Sequence, residues 1–382
     1  MSTKMTNKGL LTLRWFGVLV GGIVAGMLGT TNPATAQQFD KLQKPKTPLT
    51  LTAQGSFYVG GETVEQTRDE LGSFVPAGHI SVNQMYVRYM VPKGGEKNIP
   101  IVMVHGMALT GKCWETTPDG RMGWDEYFVR KGYPVYVPDQ VGRGRSGFNQ
   151  AIYNDVRTGV KEAKDLPPMW RFSDENAWPN FRFGTKAGAP FADGQFPVEA
   201  LGELAKQGVP DVSMSLPTPS PNYKALLDLS SQIKRAVLIS HSQSGRFPLE
   251  AALIDSAYSA EIKALVLVEP GGSPASYTDR QIKTLTRLPI LIVYGDNLNV
   301  ETGVPGHSWQ TSYEAYKTFV DRVNAAGGRA RMMYLPELGI KGNSHMIMQD
   351  KNNAQIADLV LRWVNEAMAM EKMQASSRKA TR

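Results

Sequence analysis

The 382-residue chain is 42% hydrophobic and 20% charged, a balance that supports a packed core and argues against a disordered or fibrous protein. Its formal charge of +7 is mild and partly spent on a basic tail over residues 372–382, so no nucleic-acid footprint is implied. Cys113 is the only cysteine, which excludes an internal disulfide and leaves stability to the core.

The chain opens with Lys4, Lys8 and Arg14, an apolar stretch over 15–28, and the small-x-small site Ala34-Thr35-Ala36. This order reads as a secretory signal peptide over 1–36, cleaved after Ala36. The apolar stretch is short and glycine-rich for a bilayer span, so no stable membrane anchor is expected. Cleavage removes three basic and no acidic residues and takes the charge from +7 to +4. The mature chain is expected in the periplasm or outside the cell.

Residues 37–382 suit one large α/β domain. Alternating stretches at 49–59 and 80–91, punctuated by Gly60-Gly61 and by 92–95, predict an antiparallel sheet edge. Short apolar strands follow at 99–104, 133–137, 236–239, 264–268, 290–294 and 331–335, separated by helical segments. Such alternation favours a mostly parallel sheet covered by helices, with reactive residues at the strands' carboxyl ends. The connection over about 148–222 is too long for a turn and is rich in Pro, Gly and aromatics, including Trp170, Phe172, Trp178, Phe181, Phe183, Phe191 and Phe196. It reads as a cap-like insertion, with a purely structural excursion as the alternative. Its aromatics favour an apolar or aromatic substrate group, and Trp170 and Trp178 are candidates for contact with it.

The stretch Arg235-Ala-Val-Leu-Ile-Ser-His-Ser-Gln-Ser-Gly-Arg246 is a buried strand running into a sharp turn, with a helix expected over 245–256. Ser242 sits at the apex, flanked two residues away on each side by the small Ser240 and Ser244. A strained strand-to-helix elbow demands small neighbours there, and Ser242 is the candidate nucleophile. Glycine is more usual at both flanks. A serine hydroxyl needs a base and the base an orienting acid. Of five histidines, His79 opens an edge strand, His105 shapes a turn, and His241 should point away from the nucleophile as its neighbour. His345, in a loop between the last strand and a terminal helix, is the favoured base over His307, which is expected to line the pocket. Glu269 ends a fully apolar strand, where an ionised group is costly unless paired, and is favoured as the acid over Asp296, which should cap a turn. Two backbone N–H groups aimed at the developing oxyanion complete the set, from Gln243 after the serine and from Met107 in the turn after strand 99–104. Cys113 reads as a small buried hydrophobe.

The His105-Gly106 turn, the run Asp139-Gln-Val-Gly-Arg-Gly-Arg-Ser146, the elbow and the order Ser242, Glu269, His345 resemble the α/β-hydrolase superfamily over nearly the whole mature chain. The segment Trp114-Glu-Thr-Thr-Pro-Asp-Gly-Arg-Met-Gly-Trp-Asp-Glu-Tyr-Phe128 is similar to that of a small group of secreted bacterial carboxylesterases. The usual superfamily position for the acid falls here on Leu298, which cannot orient an imidazole; that smaller group places its acid at the end of the strand after the elbow, where this chain has Glu269. The resemblance implies hydrolysis of a small-molecule ester through an acyl-enzyme, with no metal or cofactor. Haloalkane dehalogenases and epoxide hydrolases of the same fold carry aspartate at the elbow, unlike Ser242. Amide or lactone hydrolysis by the same residues stays open, as do self-association and a non-catalytic binding protein on this scaffold. A phosphate-binding reading of 142–147 lacks the lysine of a P-loop.

Overall fold

The computed structural model describes residues 37–380 except 255 and 256, so the expected signal peptide at 1–36 lies outside the described residues. Strand β1 (Leu51–Gln66) pairs antiparallel with β2 (Gly78–Pro92), and β2 pairs antiparallel with β4 (Val135–Pro138). The remaining strands, β3 (Ile101–Val104), β7 (Ala236–His241), β8 (Ile262–Val268), β9 (Pro289–Tyr294) and β10 (Arg329–Tyr334), run parallel. The order across the eight-stranded sheet is β1-β2-β4-β3-β7-β8-β9-β10. A separate small hairpin joins β5 (Gly184–Lys186) and β6 (Ala189–Pro190). The expected α/β-hydrolase architecture, with its antiparallel edge, is the one observed.

Alternation along the central strands feeds two cores. In β7, Val237 and Ile239 face one apolar cluster while Ala236 and Leu238 face the other. The first cluster is closed by α1 (Trp124–Arg130) and α9 (Asn353–Ala380). The second is closed by α5 (Pro221–Gln232), α6 (Phe247–Leu253), α7 (Asp279–Leu285) and α8 (Trp309–Ala325). A side chain such as Leu238, wholly removed from water, stabilises the sheet by roughly 1.5–3 kcal/mol before entropy is subtracted. Cys113 lies buried as a free thiol in the first core, and burial pushes its pKa well up.

Two elements differ from expectation by more than two residues at a boundary. Strand β1 does not stop at residue 59 but continues to Gln66, because Gly60 and Gly61 take positive φ, as does Asn83 in the paired strand, and both strands bend together. The helix expected over 245–256 begins as a 3-10 turn at Ser242–Arg246 and becomes α6 only at Phe247, with Pro248 accommodated in its first turn.

The connection between β4 and β7 contains α2 (Ala151–Arg157), α3 (Asp174–Asn180), the β5–β6 hairpin, α4 (Leu201–Lys206) and α5. Phe181, Phe183 and Phe196 from it are buried in the first core, with the Phe183 and Phe196 rings stacked at 3.8 Å. Trp170 remains 43% exposed. The insertion therefore contributes to the core as well as to the surface above the sheet. Among the described residues no helix is long and apolar enough to cross a membrane.

Candidate active site

At the end of β7 the chain turns so sharply that Ser242 takes φ 57, in the left-handed region. Two glycines make room for that turn. A Cβ on Gly245 would lie 2.4 Å from Cβ of Pro270, and one on Gly106 would lie 2.9 Å from Cβ of Ser242. Ser244, where glycine is more usual, ties the elbow together: its hydroxyl accepts from the His241 N–H at 3.0 Å and reaches the Val104 carbonyl at 3.1 Å.

The loop after β10 brings His345 over this elbow. Nε2 of His345 lies 2.8 Å from Ser242 Oγ, and Nδ1 lies 3.1 Å from Glu269 Oε2. With Nδ1–H donating to the carboxylate, Nε2 is left as acceptor for the serine hydroxyl. Glu269 leaves β8 in the left-handed region at φ 50. Its Oε1 accepts from the Gly295 N–H and from Nη2 of Arg182 at 2.6 Å, and both side chains of this ion pair are fully buried.

The imidazole is held from every side. The His345 N–H donates to the Phe181 carbonyl, and its own carbonyl accepts from His241 Nε2, both at 2.9 Å. Trp309 and Phe181 flank the ring at centroid distances of 4.0 and 5.5 Å. Asp350 anchors the loop by accepting from Ser344 N, Ser344 Oγ and Asn343 Nδ2. Burial holds the His345 pKa well below the usual imidazole range, and the nearby positive charge of Arg182 lowers it further. Burial also pushes His241 down to about 3 and His105 to about 4, so both are neutral at pH 7.

A cavity of about 420 Å³ opens over Ser242, with walls that include Met107, Leu109, Trp170, Phe181, Gln243, Val304, His307 and Trp309. Of the residues singled out in the sequence, Ser242, His345, Met107, Gln243, Trp170 and His307 meet at this cavity, and Glu269 lies behind His345. Trp178 does not line it; the indole packs half-buried against the first core. His241 packs beside the base: its ring sits 4.6 Å from that of His345, and the residue is among those lining the cavity. Asp296 holds the turn by accepting from Asn297 N at 2.7 Å and, from the neighbouring loop, Gly342 N at 3.0 Å.

Two buried ion pairs escaped the sequence reading. One is Arg182 with Glu269. The other is Asp211 with Arg143 at 2.6 Å, in which Asp211 Oδ2 also accepts from Ala108 N and Gln243 Nε2. Arg182 lies between Phe181 and Phe183, and a charge enclosed by core aromatics is the one local signal that marks it as buried and paired. Asp211 carries no comparable signal, since its partners are far away in sequence. Among the described residues no group of three or more His, Cys, Asp and Glu could hold a metal ion.

The profile of the alpha/beta hydrolase family matches residues 101–377. A probable secreted lipase, phiG, from a fungus (Fungal sp., strain ATCC 74256) is 27% identical over 374 residues, spanning 83% of this chain and 95% of that protein. A solved bacterial esterase is 46% identical, with a TM-score of 0.78 and coverage of 85% of this chain and 99% of its own.

Proposed function

This chain belongs to the alpha/beta hydrolase family, and on that premise we propose that it is a secreted serine carboxylesterase acting through Ser242, His345 and Glu269. The observation that supports this most is the unbroken hydrogen-bond chain from Ser242 Oγ through the His345 imidazole to the Glu269 carboxylate, at 2.8 and 3.1 Å. Similarity to a bacterial esterase at 46% identity and to a probable secreted lipase at 27% agrees with ester hydrolysis and with export.

In this mechanism His345 Nε2 takes the hydroxyl proton as Ser242 Oγ bonds to the ester carbonyl carbon. The carbonyl electrons move to oxygen, which as an oxyanion accepts hydrogen bonds from the N–H groups of Met107 and Gln243. Collapse breaks the bond to the alcohol oxygen, which leaves with the proton from His345. Water then attacks the acyl-enzyme, giving its proton to His345, and the acid departs as Ser242 is reprotonated. Glu269 stays ionised throughout, fixing the tautomer and stabilising the imidazolium.

The substrate fits as a small ester with an apolar or aromatic group. Trp170 from the insertion and His307 from the loop before α8 would contact it, and the insertion would act as a cap. Hydrolysis of short-chain p-nitrophenyl esters by the mature protein, beside Ser242→Ala, tests the reading. Turnover is expected in the first and a loss of roughly 10⁴-fold or more in the second. A folded protein with neither turnover nor labelling by a fluorophosphonate would contradict it.

A further inference from the structure

We propose that Arg182 is a positioning residue which holds the Glu269 carboxylate turned toward His345, and that its fixed charge beside the base sets the lower pH limit of the hydrolysis. The inference rests on the esterase reading above and extends it to a residue of the insertion.

The division of labour on Glu269 carries the argument. Oε2 faces His345 Nδ1, while Oε1 takes Arg182 Nη2 and Gly295 N, so the arginine fixes the carboxylate without competing for the oxygen that orients the base. Arg182 is itself immobilised. Its Nε donates to the Asp296 carbonyl at 2.7 Å, and its guanidinium lies 5.4 Å from the Trp309 ring. The backbone at Arg182 takes φ 59, a conformation costly for a residue with a Cβ, to turn the side chain inward. Its two predecessors bind the same assembly: the Asn180 carbonyl accepts from Trp309 Nε1 at 2.6 Å and the Phe181 carbonyl from His345 N at 2.9 Å. Three consecutive residues of the insertion therefore grip the acid, the base and the indole packed on the base.

Stability alone gives this pair little reason to exist. A buried ion pair is often replaceable by apolar side chains at no loss, and here Arg182 Nη1 is buried without a hydrogen-bond partner. Its electrical consequence is larger. With neutral imidazole, Arg182 and Glu269 cancel; protonating His345 would leave a net positive charge sealed from water. The other titratable groups facing His345 are His241 at the end of β7 and His307 before α8, both held toward neutrality, with Asp350 behind on its own loop. Arg182 supplies the fixed positive charge that keeps the base free as pH falls.

The test is the pH profile of kcat/KM for a p-nitrophenyl ester in the full mature protein, with Arg182→Met, Arg182→Lys, Glu269→Gln and the Met/Gln double variant. Losing the charge removes the repulsion that disfavours the imidazolium, so Arg182→Met should move the acid limb up by about one pH unit. Its kcat should fall about 10²-fold with KM little changed. Arg182→Lys should keep the acid limb where it is while lowering kcat, because the charge remains and the fixed fork of donors is gone. In the Glu269→Gln background, Arg182→Met should cost almost nothing more. An unmoved limb in folded Arg182→Met, or an undiminished cost in the double variant, overturns the proposal. If the Met variant does not fold, Arg182→Lys decides, and an unchanged kcat overturns it. Failure of the esterase reading is separately visible, as turnover that survives Ser242→Ala.

Discussion

Four residues with a Cβ in the site or next to the residues that line it take positive φ: Ala108 at 53, Arg182 at 59, Ser242 at 57 and Glu269 at 50. Each such conformation costs on the order of 1–2 kcal/mol, and their concentration here fits a site whose side chains are aimed by the backbone. Glu269 gives the clearest prediction at this scale. An amide cannot stabilise an imidazolium, so Glu269→Gln should lower kcat by about 10³- to 10⁴-fold. Asp296→Asn should cost less than about tenfold, because its carboxylate accepts only backbone N–H groups of two loops. Steady-state kinetics of the two variants check this, and the reverse ranking would move the acid to Asp296. Ser242 and His345 were legible because a strand-turn-helix pattern and a loop after the last strand leave few other places for them. Glu269 was legible because a charge ending an apolar strand demands a partner. Arg182, Asp211 and the packing of His241 on His345 were not, since each depends on contacts across 32 to 104 sequence positions.

At the scale of elements, the elbow is fixed by the close approach of three turns. The loop after β3 packs on Ser242 through Gly106, and the loop after β8 packs on Gly245 through Pro270. Gly245→Ala should destabilise the protein by about 1–3 kcal/mol, because backbone and a rigid proline ring oppose the new methyl group; urea unfolding measures it. Gly106→Ala should instead lower kcat more than stability, since the obstructed atoms belong to Ser242 and His241, and kinetics beside the same unfolding curves separate the two effects. The strands themselves were readable from apolar runs, whereas their ends were not. Gly60 and Gly61 signal a break by composition, yet the matching bend at Asn83 lets pairing continue to Gln66. Tryptophans in the insertion looked alike in sequence, but Trp170 reaches the cavity and Trp178 the core, a difference fixed by tertiary packing.

For the molecule as a whole, the response to acid is a balance between buried groups of opposite sense. His105 and His241 are neutral when folded down to about pH 4 and 3, so the unfolded chain binds their protons first and stability falls as pH drops below about 6.5. Burial raises Asp125 and Asp350 to about 6, so the folded state binds their protons first and gains stability as pH falls through that value. Between about pH 6 and 4 the two pairs oppose each other. Removing one member should expose the imbalance: Asp350→Asn should steepen the loss of stability on acidification by about 1.4 kcal/mol per pH unit in that window. Unfolding free energies at pH 6, 5 and 4 for both proteins measure the slope, and parallel curves would contradict the assignment.

The central claim is that Ser242 carries the acyl group. Rapid acid quench of the protein during turnover of p-nitrophenyl acetate, followed by peptide mass mapping, reads this directly. An added acetyl group is expected on Ser242 and is expected to be absent from Ser242→Ala. Turnover with no acyl adduct, or an adduct on another residue that survives Ser242→Ala, would contradict it.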